Sequence, residues 1–287
     1  MARTNDKQTI RKHYDVVSPY YRSLWGEHIH HGYWTRGDES KELAQLQLID
    51  YLAQVAGIPT GCAILDVGCG FGGTAIYLAR KLGAKVTGIT ISPVQVEMAN
   101  RAAERESADA KFILMDAEEM EFDQKFDVVW STESVSHYQD VAKFFAAAAG
   151  CLKPGGILAL TDWFQKEKLT AAETRKFIEP IERSMMIELR TMGAYDKWMR
   201  ANDLNVVSRE ILNAQCAKTW DISLDIIKKK EFWRLAAKKG VEFVGFLRGF
   251  SAMRAGYASG NFVYGLLVAK KKPSMQSSCG GDGRRQV

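Results

Sequence analysis

Five short apolar runs, at residues 63–67 (AILDV), 85–90 (KVTGIT), 111–115 (KFILM), 126–131 (FDVVWS) and 157–161 (ILALT), alternate with stretches of helical periodicity. The helical stretches cover residues 74–82, a segment opened by Ser92-Pro93 as N-cap and first-turn proline, and residues 141–152. The last of these stops at Lys153-Pro154-Gly155-Gly156, a helix terminator followed by a turn. Strands alternating with helices at this spacing predict an α/β fold with a parallel sheet covered on both faces. From residue 165 to 200 the pattern turns helical and rich in methionine (Met185, Met186, Met192, Met199). A strand at 204–212, a long helical stretch at 221–239 and a closing strand at 261–270 follow. The pattern predicts a single domain over residues 1–272. Its parts are an N-terminal helical arm (1–60), a ligand-binding core (61–164), a helical lid insertion (about 165–203) and the remaining sheet and helices (204–272). The Ser/Gly/Arg-rich residues 273–287 read as a disordered tail.

Composition narrows the class without naming it. The chain has 287 residues, 46% hydrophobic and 25% charged, which excludes a disordered or fibrous protein. No run approaches the ~18 uncharged apolar residues of a membrane span. The polar start MARTNDKQTIRKHYD lacks the apolar core of a secretory signal. The net charge of +5 is scattered, with part of it at 270–272 and 284–285, so no nucleic-acid partner is expected. Five cysteines without a C-x-x-C pair argue against a disulfide framework or a zinc knuckle. A reducing, cytoplasmic compartment is expected. The oligomeric state stays open, a homo-oligomer included.

The candidate chemistry begins at Asp66-Val-Gly-Cys-Gly-Phe-Gly-Gly, between a strand and a helix. Gly68, Gly70 and Gly73 satisfy G-x-G-x-x-G, a pattern shared by several nucleotide-binding loops. Three neighbours choose among them. A dinucleotide site wants an acid about 20 positions on to hold the ribose, and neutral Thr90 stands there. Asp66, before the first glycine, would repel a pyrophosphate and welcome an amino group. Asp116, ending the third strand, can accept from an adenine amine. An adenosine with a cationic amine and no phosphates is S-adenosylmethionine.

DVGCGFGGTAIYLA, GITISPVQ, Asp116-Ala117, FDVVWSTESVSH and LKPGG together resemble class I S-adenosylmethionine-dependent methyltransferases. More narrowly, WGEHIHHGYW (25–34) with GITISPVQ is similar to tocopherol C-methyltransferases and to bacterial sugar O-methyltransferases of antibiotic pathways, with cyclopropane fatty acid synthases more distant. The resemblance covers residues 13–165. It implies a Rossmann-like, seven-stranded, mostly parallel sheet whose last strand is antiparallel, and a role in natural-product biosynthesis. It also implies that Gly68 and Gly70 admit the methionine part of the cofactor above Asp66. Gln95, after the usual threonine at Thr90, would reach the ribose, and Asp116 and Ala117 would bracket the adenine. Ser131, at the end of the fourth strand, would lie under the methionine chain through its backbone, and the arm would contact the cofactor carboxylate around His30 and Tyr33.

Methyl transfer from a sulfonium is an in-line displacement, so a protein mainly positions the nucleophile and removes its proton. His137, just beyond the fourth strand, sits on the carboxyl rim where open α/β sheets bind ligands. Asp162 follows the fifth strand on the same rim, and in the related sugar O-methyltransferases a histidine and an aspartate at matching places act as base and partner. The cluster His28, His30, His31, Tyr33 and Trp34 lacks the spacing of a metal site, so no metal is expected. An arm whose Tyr14, Tyr20, Tyr21 and Tyr33 shield the sulfonium from water explains the cluster better. Trp163, Phe164, Met185, Met186, Tyr195, Trp198, Trp220 and Phe246 together suggest an apolar, adaptable acceptor pocket. The reading is methyl transfer to a small, mostly apolar or aromatic metabolite through oxygen or a ring carbon. Its rivals are a nicotinamide oxidoreductase on the same loop, a nucleic-acid methyltransferase, which would want Asn-Pro-Pro-Tyr or a basic stripe, and a non-catalytic binding module.

Overall fold

The computed structural model describes residues 6–226, 228, 233 and 241–273. Five parallel strands form where the apolar runs stand: β1 (Ala63–Val67), β2 (Lys85–Thr90), β3 (Ala110–Leu114), β4 (Phe126–Thr132) and β5 (Leu152–Gln165). Two more, β6 (Leu204–Ile211) and β7 (Phe262–Lys271), complete a seven-stranded sheet of order β3-β2-β1-β4-β5-β7-β6. β7 runs antiparallel between β5 and β6. β5 is longer than its apolar run because β7 pairs with it out to Gln165↔Phe262.

The helices start where the side chains supply caps. Ser40 opens α2 (Lys41–Ala56) by accepting from Leu43 N, and Ser92 opens α4 (Pro93–Glu106) by accepting from Gln95 N. Helix α1 (Lys7–Trp25) is capped by Asp6, which accepts from Thr9 N. α3 (Gly73–Leu82) follows the glycine loop, and α5 (Val141–Cys151) leads into β5. Between β5 and β6 lie a short α6 (Ala171–Glu173), a π-turn (Thr174–Ile178), α7 (Glu179–Met185) and α8 (Met192–Ala201). Beyond β6 come α9 (Asn213–Cys216), α10 (Lys218–Ile226) and α11 (Val241–Ala258). The helical stretch expected at 221–239 is described only as far as α10 and at residues 228 and 233. Of the expected tail, residues 274–287 lie outside the described residues, as do the side chains of Tyr20, Tyr21 and Phe246.

Two apolar cores cover the two faces. One packs α2, α3 and α4 with Trp163, Met185 and Trp220, and the other packs α5 and α8 with Phe164 and Tyr195. Consecutive residues of β5 fall into different cores because strand side chains alternate. Strand order reverses between β1 and β4, and the crevice at that switch point is where ligands of open sheets bind. Among the described residues, no helix is long and apolar enough to cross a membrane.

Candidate active site

A cavity opens at the switch point, walled by the glycine loop, the carboxyl ends of β2, β3 and β4, the arm, and the α7 end. Gly68, Gly70 and Gly72 have φ of 77°, 53° and 89°, the left-handed region where side chains are strained. Gly68 N and Cys69 N both donate to Ile89 O at 3.0 Å, which ties the loop to β2. A Cβ on Gly68 would overlap Ser134 Oγ, and one on Gly73 would overlap the Glu27 carbonyl. The loop is therefore closed over by the arm at one end and by the turn after β4 at the other.

Asp66 Oδ2 is buried in this wall without a hydrogen-bond partner. Burial pushes the carboxyl up to about 7. An orphaned buried carboxylate fits a ligand that brings an ammonium group, as the amino-acid part of S-adenosylmethionine does. The unfolded chain binds this proton only below about 4, so stability falls as pH rises from about 4 to 7. Asp66→Asn should therefore stabilise the free protein at pH 8, on the order of 2–4 kcal/mol, and weaken S-adenosylhomocysteine at least tenfold. Thermal unfolding at pH 5 and 8, with calorimetric titration, checks both; unchanged affinity would remove the ammonium from this site.

At the ribose end, Thr90 Oγ1 donates to Gln95 Oε1 (2.6 Å), and Gln95 Nε2 donates to Ser18 Oγ of α1 (3.1 Å). Gln95 lines the cavity, but both ends of its amide are engaged. At the adenine end, Asp116 Oδ1 accepts from Glu118 N (2.9 Å) and Oδ2 meets Lys7 Nζ of α1 (2.6 Å). Lys7 also reaches Glu118 at 3.2 Å, and Ala117 stands on the wall beside them.

Several expected residues lie elsewhere. Ser131 is fully buried behind the wall, its hydroxyl donating to Val67 O (3.1 Å) and so stapling β4 to β1. Thr132, Glu133 and Ser134 face the cavity instead. Tyr33 stacks on Tyr51 of α2, ring centroids 4.5 Å apart, off the cavity. His30 does line it, but Nδ1 sits 2.8 Å from the His31 carbonyl and so carries the proton. Its unpartnered Nε2 is then a lone pair in a ring that burial keeps neutral, which does not donate to a carboxylate. Asp162 is also fully buried and off the wall. It accepts from Ser136 N (2.8 Å), Ser136 Oγ (3.0 Å), Trp163 N (2.8 Å) and Tyr195 Oη (3.1 Å). Burial pushes its carboxyl up to about 7. Asp162 thus does not line the cavity; through Ser136 it holds the turn Val135–His137 that carries the histidine.

His137 faces the cavity, with Nε2 3.1 Å from Tyr14 Oη and Nδ1 3.2 Å from the Met186 carbonyl. Burial pushes its pKa down to about 4, so the ring is neutral at ordinary pH. Glu133, which no sequence motif singles out, also faces the cavity. It has φ 51°, and its Oε1 accepts from His31 N (2.6 Å), His31 Nδ1 (3.0 Å) and Tyr264 Oη (2.8 Å). Burial opposes its ionisation, but the adjoining His31 outweighs that and lowers its pKa. The rim position that singles out His137 applies equally to Glu133, but the left-handed turn that sends its carboxylate to the arm has no signal in the sequence. His31 stacks on Tyr264 (4.3 Å) and meets the edge of Trp220 (4.7 Å), while Trp163 lies 6.2 Å from His31 and 6.5 Å from His137. Trp163, Trp220, Met185 and Met186 line the cavity as expected of an acceptor pocket. Phe164, Tyr195 and Trp198 do not, being packed with Phe145 on the other face of the sheet. Among the described residues no three His, Cys, Asp or Glu side chains converge to hold a metal.

This fold, with a glycine loop at its switch point and an unpaired carboxylate beneath it, is that of an S-adenosylmethionine-dependent methyltransferase. The chain belongs to the mycolic acid cyclopropane synthetase family, whose model matches residues 1–241. It is 32% identical over 266 residues to 27-O-demethylrifamycin SV methyltransferase of Amycolatopsis mediterranei (strain S699), covering 91% of this chain and 96% of that protein. It is 30% identical over 283 residues to a probable chloroplastic tocopherol O-methyltransferase of Oryza sativa subsp. japonica, covering 94% and 75%. Among solved structures, a [4+2]-cyclase superposes with a TM-score of 0.76 at 26% identity, covering 93% of this chain and 96% of the other. The same scaffold thus carries more than one named reaction, and residues at the site must distinguish them.

Proposed function

We propose that this chain methylates a small, neutral, mostly apolar or aromatic metabolite on oxygen or on a ring carbon. The observation that carries the reading is the charge distribution of the cavity. Among the described residues its one Lys or Arg is Lys7, which stands at the adenine end and is paired there with Asp116 and Glu118. The acceptor half offers indole and methionine surface, neutral His137 and the Glu133–His31 pair. A phosphorylated or carboxylated acceptor would have no cation to meet and would face Glu133. Asp66 and the Thr90–Gln95 bond weigh against a nicotinamide cofactor, which would bring a pyrophosphate to the loop and want an acid at the ribose.

Residues 68, 70, 66, 95, 116 and 117 are proposed to hold S-adenosylmethionine, which supplies an electrophilic methyl group on a positively charged sulfur. The arm and the segment 165–203 act as covers, contributing Lys7, Tyr14 and Trp25 from one side and Met185 and Met186 from the other. The rifamycin- and tocopherol-methylating relatives suit an acceptor of this class and a role in natural-product biosynthesis. A cytoplasmic location agrees with the four free, buried cysteines among the described residues.

Incubation with isotope-labelled cofactor and a panel of phenols, prenylquinols, glycosides and indoles, read by mass for one added CH₂, tests the proposal. Labelled product together with S-adenosylhomocysteine is expected. Cofactor binding without methylated product across the panel and a cell extract would favour a binding module or another reaction. His137→Ala should lower turnover about 10²-fold with cofactor affinity near the parent's. Deprotonation of His137 is complete well above about 4, so parental turnover should rise with pH through that region and be flat with respect to this group between pH 6 and 9. A step near pH 6.5 that His137→Ala abolishes would show an imidazole far more solvated than the structure makes it.

A further inference from the structure

The basic nitrogen of His137 is not itself the surface that an acceptor meets. The Met186 carbonyl can only accept, so at 3.2 Å it fixes the imidazole proton on Nδ1 and leaves the lone pair on Nε2. Tyr14 Oη, 3.1 Å from Nε2, must then donate its proton to that lone pair. The two rings meet edge to face, 5.7 Å between centroids, and both line the cavity. Tyr14 belongs to α1 and Met186 to the end of α7, so the imidazole is bracketed by the two covers. An acceptor in the closed cavity finds the phenolic oxygen in the place where a bare histidine would present Nε2.

We propose that Tyr14 and His137 act as one base, in which Tyr14 Oη takes the acceptor's proton while Tyr14's own proton crosses to His137 Nε2. The inference rests on the methyl-transfer reading above. The balance is simple. A lone pair of the acceptor oxygen, or a π pair of a ring carbon, forms the new bond to the methyl carbon. The pair of the broken X–H bond stays on the acceptor as its proton passes to Tyr14 Oη, and the pair of the broken carbon–sulfur bond stays on sulfur. One positive charge is present before the step, on sulfur, and one after it, on the imidazole. The enclosed site therefore takes up no new charge, which lets a ring of low pKa serve as the proton store. Three neighbours set the field at the imidazole: Glu133, on the turn after β4, favours the charged form, whereas His13 of α1 opposes it, and the Met186 carbonyl stabilises Nδ1–H. The proton leaves the imidazole for water before the next turnover. On this account the arm supplies a reacting group as well as shielding.

The test uses the full chain with histidine labelled by ¹⁵N and saturated with S-adenosylhomocysteine. In the parent the His137 nitrogens should report the Nδ1–H tautomer. Tyr14→Phe should move the Nε2 resonance and the midpoint of the imidazole titration, because the hydroxyl that donates to the neutral ring and accepts from the charged one is lost. Unmoved resonances and midpoint would overturn the pair. For turnover, the first acceptor methylated in the panel is used. Tyr14→Phe and His137→Ala should each cost about 10²-fold, and the double variant should be no slower than the worse single one, as for groups acting as a unit. Rates in H₂O/D₂O mixtures should show two protons in flight in the parent and one in Tyr14→Phe. S-adenosylhomocysteine affinity should hold throughout. A Tyr14→Phe enzyme as fast as the parent or faster, or losses that multiply in the double variant, would make Tyr14 a cover only and overturn the relay. A panel without product counts against the proposed function, whereas the imidazole titration still decides the pair.

Discussion

Gly68→Val should bind S-adenosylhomocysteine about a thousandfold more weakly than the parent, ~4 kcal/mol of binding free energy. Two costs combine at this position. The backbone is held at φ 77°, where a residue with a Cβ is strained by roughly 1–2 kcal/mol. A Cβ would also overlap Ser134 Oγ, so either the loop or the turn after β4 must move, and both turns wall the cavity. Gly83 separates the two contributions. It shares a left-handed backbone, φ 61°, but a Cβ there meets nothing within 4 Å, so Gly83→Ala should cost stability and leave binding alone. Gly70 gives a third reading. The nearest atom to its added Cβ is Ile29 Cδ1 at 3.4 Å, ordinary contact, so a large loss in Gly70→Ala would report the ligand itself. Calorimetric titration of the three variants decides the matter. Parental affinity in Gly68→Val would put the cofactor somewhere other than this loop.

Deleting residues 1–25, which removes α1 and stops before His28, His30 and His31, should lower turnover by about 10³ while the sheet remains folded. The helix contributes Lys7 on Asp116, Ser18 on Gln95 and Tyr14 on His137, so its loss opens the cofactor wall and the base to water at once. Cutting further, to residue 34, would confuse the result. His31 gives two N–H bonds to buried Glu133, and removing them leaves an unpaired charge in the core. Trp34 is buried as well, its indole donating to Glu39 O. Circular dichroism and thermal unfolding of the shorter deletion establish the fold, and turnover establishes the effect. In the full chain, amide exchange over residues 7–25 should slow on adding S-adenosylhomocysteine. Unchanged exchange with retained turnover would show that α1 merely packs against the core.

The sequence by itself determined the features that depend on near neighbours. β1 and β2 fall at the residues that the apolar runs mark, and Ser92-Pro93 starts α4, because period, caps and glycine turns act over a few positions. The nature of the ligand was legible in the same way, since Asp66, Gly68 and Thr90 lie on or next to those strand ends. The inward or outward aim of rim residues was not legible. Ser131 and Glu133 stand at the end of β4 and Asp162 lies within β5, yet only Glu133 faces the cavity, because strand alternation and a left-handed turn at φ 51° decide it. Nor could local spacing pair the arm with the core. Lys7 with Asp116, His31 with Glu133 and Tyr14 with His137 join positions 109, 102 and 123 residues apart. Such contacts arise only after the sheet has placed its carboxyl rim under α1, where burial turns isolated polar residues into hydrogen-bonded partners.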